Sequence, residues 1–353
     1  MDIIIMIPTK NRVDFILRVL KYYSISKFKG KILIGDSSSE TIFKRNSDSV
    51  SMFTSLLNIE LYHDETLTAD KMVSFLCKKV TTTYSLMHPD DDMIITSSLH
   101  HCINFLNENQ NYSAVNGLAF NMGIDYNKYK AFGRVTLIKK YPLAQSLLST
   151  PFKRIFEYFD NINNINMSVI RSKINLDAFS AIEALTDFDS SYVYGELVHA
   201  SVVLSRGKVG LINHCYLVRQ KHTSQFYRNQ HFYNWVENSN PCNASTTLKK
   251  IIIRENNEEF NVKNSLILKE IDLFLFGIRK KITNNMASNL KNTSYLYRFK
   301  RLIFSILKDV FNKYKYILNN KIFSREIMVP VNSSINIDSL KLYMDVIEGK
   351  KSL

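Results

Sequence analysis

The chain has 353 residues and a formal net charge of +14, and its 45% of hydrophobic residues suffice for a large buried core. Its first residues lack the basic region and cleavage site of a secretory signal, and no run reaches the roughly 18 uninterrupted apolar residues of a membrane-spanning helix. The four cysteines are far apart and form no CxxC pair, which favours free buried thiols over a disulfide framework or a zinc site. We therefore expect a cytoplasmic protein whose excess positive charge points to a nucleic acid, an anionic membrane surface or a phosphate-bearing ligand.

Apolar strands and amphipathic helices alternate over the first 110 residues. The stretches DIIIMIP, KILIGD, NIELYHD and TYSLMHP predict four strands. Apolar residues at helical spacing predict helices between them, beginning with VDFILRVLKYYS, and a fourth helix over residues 93–108. This alternation predicts an α/β fold, with a parallel sheet and helices on both faces, and ligands bind such sheets at the carboxyl ends of the strands.

Polar turns follow three of these strands, at Pro8–Arg12, Asp36–Ser39 and Asp90–Asp92. Three adjacent aspartates repel one another and need a cation, hydrogen-bond donors or water. A divalent cation bridging them to a pyrophosphate would relieve the repulsion, and hard oxygen ligands suit Mg²⁺ or Mn²⁺. The alternative is an acidic loop that caps the helix predicted from residue 93, because a helix dipole favours aspartate at the N-terminus.

Three motifs carry a resemblance to a known family. IMIPTKNR, ILIGDSSS and LMHPDDDMI, in this order and with this spacing, resemble the nucleotide-sugar-binding half of GT-A glycosyltransferases, close to family 2 and to the bacterial transferases of surface polysaccharide assembly. The resemblance covers about residues 1–220. It implies a GT-A, Rossmann-like, mostly parallel sheet flanked by helices, and an enzyme that transfers a sugar from a nucleoside-diphosphate sugar to a glycan or lipid-linked acceptor. We expect inversion, since no second nucleophilic carboxylate stands out.

The resemblance also assigns residues to the nucleotide-sugar site. The turn after the first strand contacts the nucleotide through Pro8, Thr9, Asn11 and Arg12. Asp36 recognises the base, although an Asx-type turn would explain the same residue. Arg12 suits phosphate binding, but a solvent-facing arginine in the first turn of a helix is the alternative. Lys71 lies where related enzymes approach the nucleotide or its phosphates, and an exposed helix lysine is equally plausible there.

The acidic triplet corresponds to the DXD-type motif of the family. By this resemblance Asp90 lies near the ribose, Asp91 belongs to the nucleotide-sugar site, and Asp92 is the preferred ligand of Mn²⁺ or Mg²⁺. Some GT-A enzymes use a histidine from a later segment as a further metal ligand, which here is His222. Isolated histidines are more often surface or packing residues, which is the alternative for His222. Arg219 or Lys221 would meet the leaving diphosphate.

The acceptor half should supply a general base, a carboxylate that takes the proton of the acceptor hydroxyl. Glu196 lies at the start of an apolar helix, about where family-2 enzymes keep an acidic pair, but Leu197 follows it in place of a second acid. The fallback candidates are Asp187 and Asp189. The alternative is a structural glutamate favoured by the helix dipole.

We expect a catalytic domain at residues 1–235, with a nucleotide-sugar-binding half at 1–110 and an acceptor half at 111–235, and a mainly helical basic region at 240–353. Segment 295–325 mixes lysine and arginine with aromatic and aliphatic residues, which is typical of a helix on an anionic membrane surface. This favours a peripheral position on the inner face of the membrane and a lipid-linked acceptor. A helical packing or dimerisation element is equally consistent with the pattern.

Two other classes of protein share some of these features. A sugar-phosphate nucleotidyltransferase also needs metal-binding aspartates, but it should open with a glycine-rich phosphate loop, and IPTKNR contains no glycine. A nucleic-acid-binding protein would explain the charge, but it does not need carboxylates at the ends of strands. We therefore expect a nucleotide-sugar donor and no nucleic-acid partner.

Overall fold

The computed structural model describes residues 1–160, 163–185, 188–224, 242–255, 272 and 337–351. All of these except residue 272 belong to one compact unit, which consists of Met1–Leu268 and Pro330–Leu353. Asp187 and segment 295–325 lie outside the described residues, as does the side chain of Asp189. The membrane helix expected at 295–325 and the domain division at residues 235–240 therefore stay predictions.

Strands and helices alternate along the chain. The strands are β1 (Ile3–Thr9), β2 (Lys31–Asp36), β3 (Asn58–His63), β4 (Tyr84–Met87), β5 (Asp92–Ile94), β6 (Tyr112–Ile124), β7 (Val135–Tyr141), β8 (Val169–Arg171) and β9 (Lys208–Lys221). The helices are α1 (Val13–Ile25), α2 (Glu40–Ser51), α3 (Ala69–Cys77), α4 (Leu99–Glu108), α5 (Pro151–Asp160), α6 (Ser172–Ile182), α7 (Phe188–Arg206), α8 (Cys242–Glu255) and α9 (Ile337–Ile347).

One sheet joins all of these strands in the order β3-β2-β1-β4-β8-β6-β9-β5, with β7 paired to β6. The first four strands run parallel, as the sequence predicts. The short strand β8 is antiparallel to both β4 and β6, so β6 and its parallel partner β9 share the direction of β1. The α/β fold class is thus confirmed. The carboxyl ends of β1, β2, β3 and β9 all meet at one edge, which we call the carboxyl edge.

The fourth helix begins later than the sequence pattern predicts. Residues Asp92–Ile94 form strand β5, a short 3-10 turn occupies Thr96–Ser98, and α4 starts only at Leu99. Strand β5 pairs antiparallel with β9. The acidic triplet is therefore separated from the helix by a strand and a turn, and the explanation of Asp90–Asp92 as a helix cap is wrong.

The C-terminal helix α9 packs on α1. The rings of Tyr343 and Tyr22 meet edge to face with centroids 5.3 Å apart. The backbone N–H of Gly133 donates to the carbonyl of Ile347, and that of Val135 donates to Oε1 of Glu348. Residues 337–351 are thus part of the same compact unit as the first helix.

Cys77, Cys102 and Cys215 are buried free thiols, as predicted. None of the helices in the described ranges is long and apolar enough to cross a membrane.

Candidate functional site

The acidic triplet lies at the carboxyl edge, between the turn that follows β1 and the end of β9. Nη1 of Arg12 lies 2.7 Å from Oδ1 of Asp90 and 3.0 Å from Oδ2 of Asp91. The hydroxyl of Thr9 donates to Oδ2 of Asp90 over 2.5 Å. The structure therefore brings together four of the residues assigned from the sequence: Thr9, Arg12, Asp90 and Asp91.

Arg12 keeps contact with solvent, since 21% of its side chain is exposed. Its guanidinium also lies over the rings of Phe15 and Tyr129, 5.6 and 5.5 Å from their centroids. Burial disfavours its charge, but Asp90 and Asp91 outweigh that effect and hold the pKa of Arg12 above its ordinary value. Arg12 is thus a fixed cation with an accessible face, which suits recognition of a phosphate.

His222 is the second partner of Asp91. Its Nε2 lies 2.9 Å from Oδ2 of Asp91, and the side chain of His222 is fully buried. Burial alone would raise the pKa of Asp91, but the hydrogen bond with His222 and the charge of Arg12 lower it to about 2. The Nδ1 atom of His222 is buried without a hydrogen-bond partner among the described residues. His222, distant in sequence, is therefore brought to the triplet at Asp91, and its role as a metal ligand stays a prediction.

Asp92 makes a different set of contacts. Its Oδ2 accepts a hydrogen bond from Nε of Arg219 over 3.0 Å, and its Oδ1 accepts one from the backbone N–H of Gln220 over 3.0 Å. Arg219 also donates to the hydroxyl of Tyr141 over 2.7 Å. Burial raises the pKa of Asp92 to about 6, although Arg219 opposes that effect. Both carboxylate oxygens of Asp92 are thus engaged within the protein.

The metal assignment can be tested against these donor atoms. In the described part of the chain no group of three or more His, Cys, Asp and Glu side chains is arranged to hold a metal ion. The pair that comes nearest is Asp91 and His222, since Asp91 is partly exposed and its Oδ2 lies 2.9 Å from Nε2 of His222. The hydrogen bond between these two atoms has to open before both can bind a cation. For Asp92 to bind a cation, at least one of its hydrogen bonds has to open.

Arg18 lies beneath the triplet and was missed by sequence analysis. Its guanidinium is fully buried, donates to the backbone carbonyl of Asp91 over 2.9 Å, and also bonds Oε1 of Gln220. A charged residue on the otherwise apolar face of α1 was the available signal, since an arginine is almost never fully buried without partners. Arg18 fixes the backbone of the acidic loop against the end of β9.

Asp36 lies at the same edge but is buried within its own turn. Its Oδ1 accepts a hydrogen bond from the backbone N–H of Ser38 over 2.8 Å, and its Oδ2 accepts one from Nδ2 of Asn46 over 2.7 Å. The hydroxyl of Ser38 accepts from the backbone N–H of Asn11 over 2.7 Å, and Asn11 has a φ of 58°. Asp36 thus shapes the turn that supports the β1 turn, and its contact with a base stays a prediction.

The remaining residues assigned from the sequence are Pro8, Lys71 and Glu196. Pro8 is half-buried near the end of β1, and Lys71 is exposed in the first turn of α3. Glu196 lies half-buried on α7 and has no hydrogen-bond partner among the described residues. Burial raises the pKa of Glu196, and the nearby charge of Arg219 opposes this shift. Arg219 therefore links Glu196 electrostatically to Asp92.

Comparisons with known proteins find similar proteins among solved structures only. No family model and no curated protein matches the chain. S. aureus TarS is similar at 14% identity, over 84% of this chain and 54% of that one, with a TM-score of 0.46. This chain thus spans about half the length of that TarS structure. A shorter TarS structure in complex with UDP-GlcNAc aligns at 12% identity over 86% of this chain and 92% of its own, with a TM-score of 0.48. The mannosyltransferase PcManGT from Pyrobaculum calidifontis, in complex with GDP-Man and Mn²⁺, aligns at 12% identity over 88% of both chains, with a TM-score of 0.39.

Proposed function

We propose that this protein is a glycosyltransferase that takes a sugar from a nucleoside-diphosphate sugar and passes it, with inversion, to a glycan or lipid-linked acceptor in surface polysaccharide assembly. The observation that carries the proposal is the contact of Arg12 with both Asp90 and Asp91 at the carboxyl edge. In sheets of this class ligands bind at that edge. The motif resemblance supplies the reaction class and the kind of acceptor.

The diphosphate of the donor binds at Arg12. The guanidinium is held in one orientation by Asp90 and two aromatic rings, so little ordering is needed when a phosphate arrives. A fixed cation also stabilises the negative charge that develops on the departing diphosphate. Arg219 adds a second positive charge, and its ion pair with Asp92 keeps its guanidinium in place.

Glu196 acts as the general base. It takes the proton of the acceptor hydroxyl as the oxygen attacks the anomeric carbon from the face opposite the diphosphate. A carboxylate with a raised pKa and no hydrogen-bond partner in the described structure is suited to accept that proton. The charge of Arg219 opposes the rise of the Glu196 pKa and so favours the ionised form of the base.

Asp91 and His222 would hold a divalent cation, Mn²⁺ or Mg²⁺. Asp92, the ligand expected from the motif, would join them when one of its bonds to Arg219 or Gln220 opens. The cation would supply charge neutralisation at the diphosphate. A cation held by Oδ2 of Asp91 and Nε2 of His222 would replace the hydrogen bond that joins these atoms in the ligand-free protein.

A binding and transfer experiment tests the proposal. The full chain is titrated calorimetrically with UDP, GDP, UDP-GlcNAc and GDP-Man, with and without Mn²⁺, and each donor is then incubated with candidate glycan acceptors. We expect binding of at least one nucleoside diphosphate and its sugar conjugate, and release of free nucleoside diphosphate with acceptor. Pyrophosphate release from a nucleoside triphosphate would support a nucleotidyltransferase instead. Tight, salt-dependent binding to DNA or RNA without nucleotide-sugar binding would overturn the proposal.

A further inference from the structure

His88 is a fully buried histidine to which neither the sequence motifs nor the proposed mechanism assigns a role. It lies between β4 and residues 89–92, which we call the acidic turn, and its backbone N–H donates to the carbonyl of Met6 in β1 over 3.1 Å. Its Nε2 lies 2.7 Å from the hydroxyl of Tyr23 on α1, and its Nδ1 lies 2.8 Å from the carbonyl oxygen of Pro89. The ring of His88 therefore connects helix α1 to the start of the acidic turn.

These two contacts determine which ring nitrogen of His88 carries the proton. A carbonyl oxygen only accepts hydrogen bonds, so Nδ1 is the nitrogen that donates to Pro89. Both hydrogen-bond partners are uncharged, and burial lowers the pKa of His88 to about 4, so the ring holds no second proton at neutral pH. Nε2 is therefore an acceptor, and the hydroxyl of Tyr23 donates to it. Because the partner of one ring nitrogen decides where the proton lies, Tyr23 fixes His88 as the neutral Nδ1–H tautomer.

The carbonyl of Pro89 is the acceptor that closes the acidic turn. It also accepts a hydrogen bond from the backbone N–H of Asp92 over 3.1 Å, and Asp90 and Asp91 form the tip of the turn between these two residues. A carbonyl oxygen has two lone pairs, so it can accept from the imidazole and from the backbone at the same time. The carboxylates at the tip are the ones that contact Arg12. The position of this carbonyl therefore sets where both carboxylates meet the guanidinium.

We propose that Tyr23 and His88 are positioning residues of the nucleotide-sugar site, and that they act by holding the carbonyl of Pro89 through the Nδ1–H of His88. This rests on the proposed glycosyltransferase function. Both side chains are fully buried, so they act on the donor through the acidic turn and Arg12 and do not touch it. Without the Nδ1–H donor the turn is less ordered, and part of the binding free energy of the diphosphate is then needed to order it.

Two substitutions of His88 separate positioning from packing. The amide nitrogen of asparagine can take the place of Nδ1, so His88→Asn keeps a donor for the carbonyl of Pro89. Glutamine is closer to histidine in size, but its amide takes the place of Nε2, so His88→Gln accepts from Tyr23 and leaves that carbonyl without its side-chain donor. Tyr23→Phe removes only the hydroxyl. Tyr22→Phe, which removes another buried hydroxyl of α1, is the matched control.

Each protein is titrated calorimetrically with UDP and GDP, with and without Mn²⁺. We expect His88→Gln to bind the nucleoside diphosphate roughly tenfold more weakly and Tyr23→Phe roughly threefold to tenfold more weakly, because a hydrogen bond that orders the turn is lost. His88→Asn and Tyr22→Phe should stay within about twofold of the wild type. A role in packing alone predicts the opposite order for the two His88 variants, since asparagine leaves the larger cavity.

Other outcomes distinguish the two proposals. If the wild type binds neither UDP nor GDP, the proposed function fails and the positioning role fails with it. If the wild type binds a nucleotide and His88→Gln binds it equally well, the function stands and His88 does not position the site. Nitrogen NMR of the histidine rings in the ligand-free wild type should show a proton on Nδ1 of His88, and a proton on Nε2 would overturn the assigned tautomer. Thermal unfolding shows whether the His88 variants are folded. If they are not, Tyr23→Phe decides, and unchanged affinity in that variant overturns the proposal.

Discussion

Arg219 and Asp92 form an ion pair that joins β9 to β5, with Nε of Arg219 3.0 Å from Oδ2 of Asp92. Only 3% of the Asp92 side chain and 20% of the Arg219 side chain are exposed. Removing one partner of such a pair leaves a desolvated charge, which destabilises a protein by about 3–5 kcal/mol. We therefore expect Asp92→Ala to lower the free energy of unfolding by about that amount, measured by urea denaturation. The control is Asp48→Ala, which changes an exposed aspartate of α2 and should leave the free energy of unfolding nearly unchanged. A loss below about 1 kcal/mol for Asp92→Ala would show that the pair contributes little to stability.

A divalent cation at Asp91 and His222 gives a second prediction. Asp91→Asn removes the charge of the proposed oxygen ligand, so Mn²⁺ should enhance nucleoside-diphosphate binding about tenfold less in this variant than in the wild type. The measurement is a calorimetric titration with UDP or GDP at several Mn²⁺ concentrations, repeated for His222→Ala. Asp92→Asn serves as the comparison, because its oxygens are engaged by Arg219 and Gln220. If Asp92→Asn alone abolishes the effect of Mn²⁺, Asp92 is the metal ligand, as the motif implies.

Local sequence patterns predicted the buried strands and the turns that follow them, because each of these depends on the residues of a single short segment. The apolar runs at β1, β2 and β4 are buried strands, and the polar turns after them lie at one edge because parallel strands share a direction. The start of α4 was not predictable in this way. MIIT has the apolar content of a helix start, but its first two residues belong to strand β5, which forms through pairing with β9. Pairing partners that lie far along the chain leave no local signal.

The same limit explains what sequence analysis found in the site. His222 and the triplet were assigned through the family resemblance, and the structure brings them together. Arg219 and Asp92 lie 127 residues apart, and their contact depends on the register of β5 against β9. Neither segment alone carries a sequence pattern that indicates this contact. Arg18 carries a signal, its position on an apolar helix face, but the identity of its partners is fixed by tertiary packing.

The orientation of the Arg12 guanidinium gives a third prediction. Arg12→Lys keeps the positive charge but cannot reproduce the planar group that contacts Asp90 and Asp91 and lies over two rings. We expect this variant to bind the free nucleoside diphosphate roughly tenfold to a hundredfold more weakly. Arg45→Lys, on the exposed side of α2, is the matched control and should bind normally. Unchanged affinity in Arg12→Lys would show that charge alone suffices, or that the phosphates bind elsewhere.

Glu196 gives the fourth prediction. Glu196→Gln preserves size and removes the basic electron pair, so single-turnover transfer at saturating donor should fall roughly 10²–10⁴-fold. Nucleotide-sugar affinity should stay the same, since the base acts on the acceptor. Glu108→Gln, at the exposed end of α4, is the control. Normal transfer by Glu196→Gln would direct attention to Asp187 and Asp189, and a parallel loss of donor binding would make Glu196 a residue that supports the site.

The pH dependence of stability gives the last prediction, on Asp70 in the ligand-free protein. Burial raises its pKa to about 6 in the folded state, whereas an aspartate in an unfolded chain has a pKa of about 3.9. Between these values the folded state holds a proton that the unfolded state has released, so the free energy of unfolding falls as the pH rises through this window. The stabilisation that comes from the proton held by Asp70 in the folded state is therefore fully present below about pH 4 and lost above about pH 6. Two pKa units correspond to about 3 kcal/mol, and residual contact with solvent brings the expected loss to about 1–3 kcal/mol.

Buried histidines such as His88, whose pKa burial lowers to about 4, change stability with pH in the opposite direction. The test is therefore the difference in free energy of unfolding between the wild type and a variant that lacks the Asp70 carboxylate. Urea denaturation of the wild type and Asp70→Asn at pH 4.5 and 7.5 should show the variant gaining stability relative to the wild type at the higher pH. If the two proteins keep a constant difference across this range, the Asp70 carboxylate is not held in an uncompensated environment.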